Sequence, residues 1–148
     1  MNITELLNVN LIKLELKSKT KEDVIKEMVT ILDRDGKLLD VDKYLQAVLD
    51  RETEFSTGIG MGIAIPHGKS SGVKEPALVF GRSVDGIDYQ SMDDELAHIF
   101  FLIAVPEESS DEHLKILGQI SRKLMHSELR DSLMKASSAE EIITLLEK

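Results

Sequence analysis

The chain has 148 residues, 42% of them hydrophobic and 30% charged, the balance of one globular domain large enough to bury its own core. A formal net charge of −9 argues against nucleic acid and anionic membrane surfaces as partners and suits a basic protein partner. The absence of cysteine excludes disulfides, thiolate catalysis and thiolate metal sites.

The first residues, Met1 to Glu5, lack the basic start and apolar core of a signal peptide. No apolar run approaches the ~18 residues of a membrane span. No direct membrane insertion and a cytoplasmic location are therefore expected. Leu11 to Leu16 alternates near its end and reads as an early strand. Thr20, with Asp23 three residues on, opens a helix whose apolar face holds Val24, Ile25, Met28, Ile31 and Leu32, and Gly36 ends it. Asp40 caps a second helix over Val41 to Glu54, with Leu45, Val48 and Leu49 inward and Arg51 and Glu52 at its C-terminal end.

A glycine-rich string follows. Five of the nine glycines lie between Gly58 and Gly72, and such density marks backbone that bends sharply or lets something approach closely. Ile63 to Ile65 reads as a buried strand stopped by Pro66, which leaves His67 just past a strand end. Pro76 to Ser83 reads as a strand and Val84 to Met92 as a turn-rich connection. Leu96 to Val105, the most apolar run, reads as a central strand covered on both faces and ended by Pro106. Ser109 or Ser110 opens a helix, Ser109 and Glu112 being at capping-box spacing, with Leu117, Ile120 and Leu124 as its inner stripe. Ser127 caps a short helix, Glu128 to Lys135. Ser137 and Glu140 bracket the start of a last one carrying Ile142, Ile143, Leu145 and Leu146. The order is strand, two helices, two or three strands, three helices. It predicts an α/β fold in which helices flank both faces of a single mixed sheet, in one domain over residues 1–148.

Chemistry falls to few side chains. Gly58 and Gly60 fit the start of a dinucleotide fingerprint, but Ile63 stands where its third glycine belongs, and the string precedes a strand where the fingerprint follows one. No phosphate-loop motif is present, so no nucleotide cofactor is expected. The histidines, His67, His98, His113 and His126, form no close metal pair, so no metal is expected either. His98 lies inside the apolar strand as a core or sheet-edge residue with one hydrogen bond. His126 precedes a helix cap, a surface position. His113 falls in the first turn of its helix, on the sheet-facing side, beside amides that attract anions. Taken alone it serves equally as a packing or capping residue, and Arg51 alone as a surface or C-cap residue. Together His67, His113, Arg51 and the glycine-string amides suggest a phosphoryl site, because neutral imidazole attacks phosphorus and the transfer needs mainly positioning and charge stabilisation. This requires the strands Ile63–Ile65 and Leu96–Val105 to lie side by side.

The string Arg51-Glu52…Ser56-Thr57-Gly58-Ile59-Gly60-Met61-Gly62-Ile63-Ala64-Ile65-Pro66-His67 resembles the active-site region of enzyme IIA of the fructose–mannitol class of the bacterial phosphoenolpyruvate:sugar phosphotransferase system (PTS). His113-Leu114-Lys115-Ile116-Leu117 and the preceding strand with Pro106 match as well, and the resemblance spans essentially the whole chain. It implies a single PTS EIIA type-2 domain with one mixed sheet flanked by helices. It implies that His67 takes a phosphoryl group from the phosphocarrier HPr and passes it to a cysteine of enzyme IIB. Sugar then enters through the membrane component IIC, which IIA meets only indirectly. His113 is implied as the accessory histidine, Arg51 as an electrostatic helper and Thr57 as a hydroxyl contact to the phosphoryl group. Gly81 to Tyr89 looks fructose-like. A related branch, the nitrogen-regulatory IIA proteins, shares Pro66-His67-Gly68 and acts by binding regulatory targets; it is the alternative reading.

Overall fold

The computed structural model describes residues 2–109 and 111–148, with the backbone but not the side chain of Glu112. The capping roles expected of Ser110 and of the Glu112 side chain lie outside what is described. Two 3₁₀ turns, Ile3–Leu6 and Val9–Leu11, lead into a short strand β1 (Ile12–Lys13). Helices α1 (Lys21–Arg34) and α2 (Val41–Glu54) follow. Then come β2 (Gly58–Gly60), β3 (Ile63–Ala64), β4 (His67–Ser70), β5 (Ala77–Ile87) and β6 (Ala97–Pro106). Helices α3 (Glu112–Leu124), α4 (Ser127–Lys135) and α5 (Ala139–Glu147) complete the chain.

Local chemistry sets the first half. The Thr20 hydroxyl accepts the Asp23 amide at 3.2 Å and an Asp40 carboxylate oxygen accepts that of Lys43 at 3.1 Å, so both helices begin where short polar side chains satisfy first-turn donors. Gly36, at φ +76°, closes α1, the Lys37 amide reaching back to the Leu32 carbonyl. The early strand is shorter than Leu11–Leu16 suggests. The Asn8 side chain accepts the Asn10 amide at 2.8 Å and winds Leu11 into a 3₁₀ turn, leaving Ile12 and Lys13 to pair with Phe80 and Gly81.

The six strands described form one mixed sheet, ordered β1-β5-β6-β3-β2, with β4 also paired to β6. The apolar run is central as expected: β6 lies antiparallel to β5 and parallel to β3 and β4, and Phe80 and Phe101 meet edge-on at 5.3 Å. β5 runs past Ser83 to Ile87, because pairing resumes at Ile87 opposite Ala97 and the turn residues between form a bulge within the strand. The expectation that His67 lies past a strand end is corrected. Pro66 interrupts the ladder only as a donor; its carbonyl accepts the Ile103 amide at 3.0 Å. The register is the same on both sides, Ile63 opposite Ile99 and His67 opposite Ile103, so His67 opens a strand.

Alternation then sorts side chains between the faces. Gly68 points at α2, where an added Cβ would stand 3.0 Å from Val48 and 3.2 Å from Tyr44. The face of Leu78 and Arg82, opposite, is covered by α4, which adjoins α3 and α5. His67 shares the latter face, being opposite Ile103 and through it Leu78. Three boundary expectations and one packing expectation shift. The α3 N-cap is Asp111, not Ser109, and makes no side-chain cap bond. The buried stripe of α3 is Ile116, Ile120 and Leu124, Leu117 being only partly covered. Ser127 is the first residue of α4 rather than its cap. In α5 the cap is Ser138, whose hydroxyl accepts the Glu141 amide, one residue later than expected.

Arg82 is buried although it looked like an ordinary strand residue. Its guanidinium donates to the carbonyls of Leu14 (3.0 Å), Leu133 (2.9 Å) and Ala136 (2.7 Å), tying the residue after β1, β5 and the C-terminal end of α4 together. Hydrogen bonds from a charged donor contribute about 1.5–3 kcal/mol each, and their loss strands buried carbonyls. Arg82→Ala should therefore lower unfolding stability by about 3 kcal/mol or more, measured by urea denaturation. Arg82→Lys should recover only part, because a single ammonium cannot span three carbonyls held by a planar fork.

Candidate active site

The parallel pairing of β3 and β4 with β6 brings the His67 segment beside the strand that feeds α3. Across the sheet face the rings of His67 and His113 lie 6.4 Å apart, 26° from parallel. The two imidazoles are therefore together, as the side-by-side arrangement of the two strands requires.

They are held differently. His67 Nδ1 lies 2.9 Å from the Ile65 carbonyl. A carbonyl only accepts, so Nδ1 carries the proton and Nε2 keeps its lone pair. Burial pushes the His67 pKa below its ordinary value. The Ile65 bond and the Glu52 carboxylate oppose that shift, while Arg51 and His113 add to it. At neutral pH His67 is an uncharged imidazole with a free Nε2, the form that acts as a nucleophile. The Nδ1 of His113 is buried and has no hydrogen-bond partner among the described residues.

Arg51 stands on the last turn of α2. Its Nη1 donates to the Phe55 carbonyl at 3.0 Å and its guanidinium lies 4.6 Å from the centre of the Phe55 ring. It acts on His67 through space without touching it. Thr57 is only 4% exposed, and its hydroxyl donates to the Glu52 carboxylate. The glycine string is a β-hairpin, not an open cradle of amides. The Gly58 amide donates to the Ser56 hydroxyl (3.0 Å) and that of Met61 to Asp93 (3.0 Å). Gly58 is required by space, since a Cβ there would stand 2.5 Å from the Ser91 hydroxyl oxygen.

His98 is a structural residue, its Nδ1 3.0 Å from the Ser83 carbonyl, and His126 is exposed beside α4. Among the described residues no three His, Asp or Glu side chains converge as a metal site needs. No helix of the described residues is long and apolar enough to cross a membrane.

What the sequence reading passed over is Glu52. Its side chain is 6% exposed and gathers Lys21 (2.9 Å), the Thr57 amide (3.1 Å), the Thr57 hydroxyl and the Tyr89 hydroxyl (3.1 Å). Its place beside Arg51 was the one available signal; Lys21 and Tyr89, far along the chain, carried none.

Residues 5–148 match the family "Phosphoenolpyruvate-dependent sugar phosphotransferase system, EIIA 2". The chain is 51% identical over 146 residues to the PTS system fructose-specific EIIABC component of Bacillus subtilis (strain 168), covering 99% of itself but 23% of that protein. It therefore spans about a quarter of that relative's length. To the PTS system fructose-specific EIIA component of Haloferax volcanii it is 39% identical, with 99% and 97% covered. The crystal structure of nitrogen regulatory protein IIA-Ntr from Neisseria meningitidis superposes with TM-score 0.90 at 33% identity, covering 97% and 98% of the two chains. The mannitol IIA of Escherichia coli, in complex with phosphorylated enzyme IIB, does so with TM-score 0.83 at 27% identity, covering 95% and 96%. Fold and comparisons define a phosphotransferase phosphoryl carrier. The chain belongs to the EIIA 2 family of the phosphoenolpyruvate-dependent sugar phosphotransferase system.

Proposed function

We propose that His67 receives a phosphoryl group on Nε2 from phosphorylated HPr and passes it to the cysteine of an enzyme IIB. The sugar is fructose, taken up and phosphorylated through IIC, and the carrier works in the cytoplasm. The observation that carries this reading is the Nδ1 bond of His67 to the Ile65 carbonyl, which leaves Nε2 as the one nucleophilic nitrogen of a neutral ring. In the first step Nε2 donates its lone pair to phosphorus, and the bond from phosphorus to the carrier's imidazole breaks with its electrons returning to that ring. In the second, the thiolate of IIB attacks phosphorus and the Nε2–P bond breaks. His113 and Arg51 stabilise the charge on the phosphoryl oxygens, Arg51 by leaving the Phe55 carbonyl.

Both partners must bring a nucleophile in line with the same phosphorus, so they are expected to share one surface. Exposed apolar side chains sit on the segments that build the site: Phe55 after α2, Met61 on the β2–β3 turn, Met92 in the loop backing that hairpin and Leu114 in the first turn of α3. Ile63, two residues from Met61, is fully buried, as its reading as part of a buried strand requires, and does not join this rim. HPr and IIB should compete, and with a net charge of −9 the encounter should weaken as salt rises. Chemical-shift mapping with each partner should give overlapping footprints; two separate footprints would contradict a shared surface.

The structural similarity to a nitrogen regulatory protein favours a second reading, phosphorylation-dependent binding to regulatory targets. Transfer from the phosphorylated protein to a fructose-type IIB separates the two. Rapid transfer supports sugar uptake, and phosphorylation without transfer supports the regulatory role.

A further inference from the structure

We propose that Glu52 is a positioning residue that sets the tautomer of His67, acting through Thr57 and Ile65. The proposal rests on the reading of His67 as the phosphoryl acceptor and adds the device that keeps its Nε2 lone pair available.

An unbroken chain of hydrogen bonds links the two side chains. Glu52 Oε1 accepts the Thr57 amide at 3.1 Å, and Oε2 accepts the Thr57 hydroxyl. Thr57 is thus gripped by one carboxylate at both backbone and side chain, at the point where β2 begins. The Thr57 carbonyl accepts the Ile65 amide at 3.0 Å. The Ile65 carbonyl accepts the Nδ1 proton of His67 at 2.9 Å. The residue after Ile65 is proline, so the peptide bearing that carbonyl has no N–H of its own to anchor it. Its direction is set on one side by the Ile65 amide, and hence by Thr57, and on the other by the Pro66 carbonyl, which accepts the Ile103 amide at 3.0 Å. Thr57, expected from the family resemblance to touch the phosphoryl group, acts in this arrangement as the middle link.

The carboxylate suits this task better than any neutral group. Its two oxygens receive four donors: the Thr57 amide, the Thr57 hydroxyl, the Tyr89 hydroxyl at 3.1 Å and Lys21 at 2.9 Å. An ionised carboxylate is acceptor-only and has about four lone-pair sites, so every donor finds one. Lys21 balances the buried charge, its ammonium 4.7 Å from the centre of the Tyr89 ring, and so connects α1 to the chain. An amide at position 52 would present two donors of its own to this ring of donors and break the fit. Which nitrogen of an imidazole is protonated is set by the bond the other makes. Loosening Thr57 therefore frees the Ile65 carbonyl and lets the proton move to Nε2, where it blocks attack.

The test is long-range ¹H–¹⁵N NMR on ¹⁵N-histidine-labelled, unphosphorylated protein, titrated with pH, for wild type, Glu52→Gln and Thr57→Val. Wild-type His67 should be one tautomer, Nδ1–H. Both variants should show a mixture, larger in Glu52→Gln, and Thr57→Val keeps the measurement possible should Glu52→Gln fail to fold. The charged and titratable groups acting on His67 are Arg51 and Glu52 from α2 and His113 from α3. Glu52 and the Ile65 bond both raise the His67 pKa, so Glu52→Gln should lower it further. General loosening of the site would instead expose the ring and move its pKa up toward the ordinary value. Phosphoryl acceptance should fall about tenfold, still on Nε2. An unchanged Nδ1–H tautomer in both variants, or a His67 pKa that rises in Glu52→Gln, would overturn the proposal. A wild-type protein that takes no phosphoryl group at His67 would overturn the reading beneath it and leave the tautomer result standing.

Discussion

Replacing His67 by alanine should abolish phosphoryl acceptance while leaving the fold intact. The ring sits at the start of β4, half-buried, and the sheet register is set by the backbone of Pro66 and Ile103 rather than by the imidazole. No neighbour can replace it. Among the described residues His113 has no partner on Nδ1 to hold a single nucleophilic tautomer, and His98 and His126 lie in other surroundings. With phosphoenolpyruvate, enzyme I and HPr supplied, intact-protein mass spectrometry should show one added phosphoryl group on wild type and none on His67→Ala. The bond should be acid-labile and base-stable, as expected for phosphoimidazole. Its formation should also depend on pH in a stated direction. Protonation removes the lone pair, and burial first, then Arg51 and His113, hold the His67 pKa down. The acidic limb of the acceptance rate should therefore lie below the value of about 6.5 for a free imidazole, with full rate above it.

The second large effect is expected at His113 and Arg51. As phosphorus passes between nucleophiles, charge spreads over its three equatorial oxygens, and each positioned donor there contributes a few kcal/mol. The His113 ring lies 6.4 Å from that of His67, nearly parallel, so the two face the same space. His113→Ala should still accept label at His67, but transfer should slow by roughly one to three orders of magnitude. The His67 pKa should rise in this variant, because His113 contributes to holding it down. Arg51→Ala should slow transfer similarly. Arg51→Lys should recover part of the rate, since lysine keeps the charge and loses the planar fork. Losses need not match in the two half-reactions, because HPr and IIB bring different second nucleophiles. Rapid-quench rates in both directions would measure them. A wild-type rate for His113→Ala both ways would make His113 a packing residue.

The elements legible in the sequence are those whose causes are local. Thr20 and Asp40 announce α1 and α2 because a cap and the amide that donates to it lie within one turn. The run ending at Val105 announces β6 because a strand covered on both faces must be apolar throughout. His67 and Arg51 stood out against the glycine string for the same reason. What escaped depends on partners remote in sequence. Pro66 read as a stop, since nothing nearby reveals that Ile103 needs only its carbonyl. Arg82 read as an ordinary strand residue, because the carbonyls that hold it come from Leu14, Leu133 and Ala136. Glu52 read as a helix-end charge, because Lys21 and Tyr89 reach it from α1 and from the loop after β5. The glycines had a clear geometric demand but an ambiguous purpose. Read alone they suggest amides open to a phosphate, whereas in the fold they let a hairpin press against Ser91.

The central claim is that one atom, Nε2 of His67, carries the phosphoryl group. Long-range ¹H–¹⁵N NMR of ¹⁵N-histidine-labelled protein, taken before and after phosphorylation, tests it directly. The expected result is a single modified imidazole, that of His67, with phosphorus–nitrogen coupling at Nε2 and the proton retained on Nδ1. Coupling at Nδ1, or a modified ring belonging to His113, His98 or His126, would contradict it.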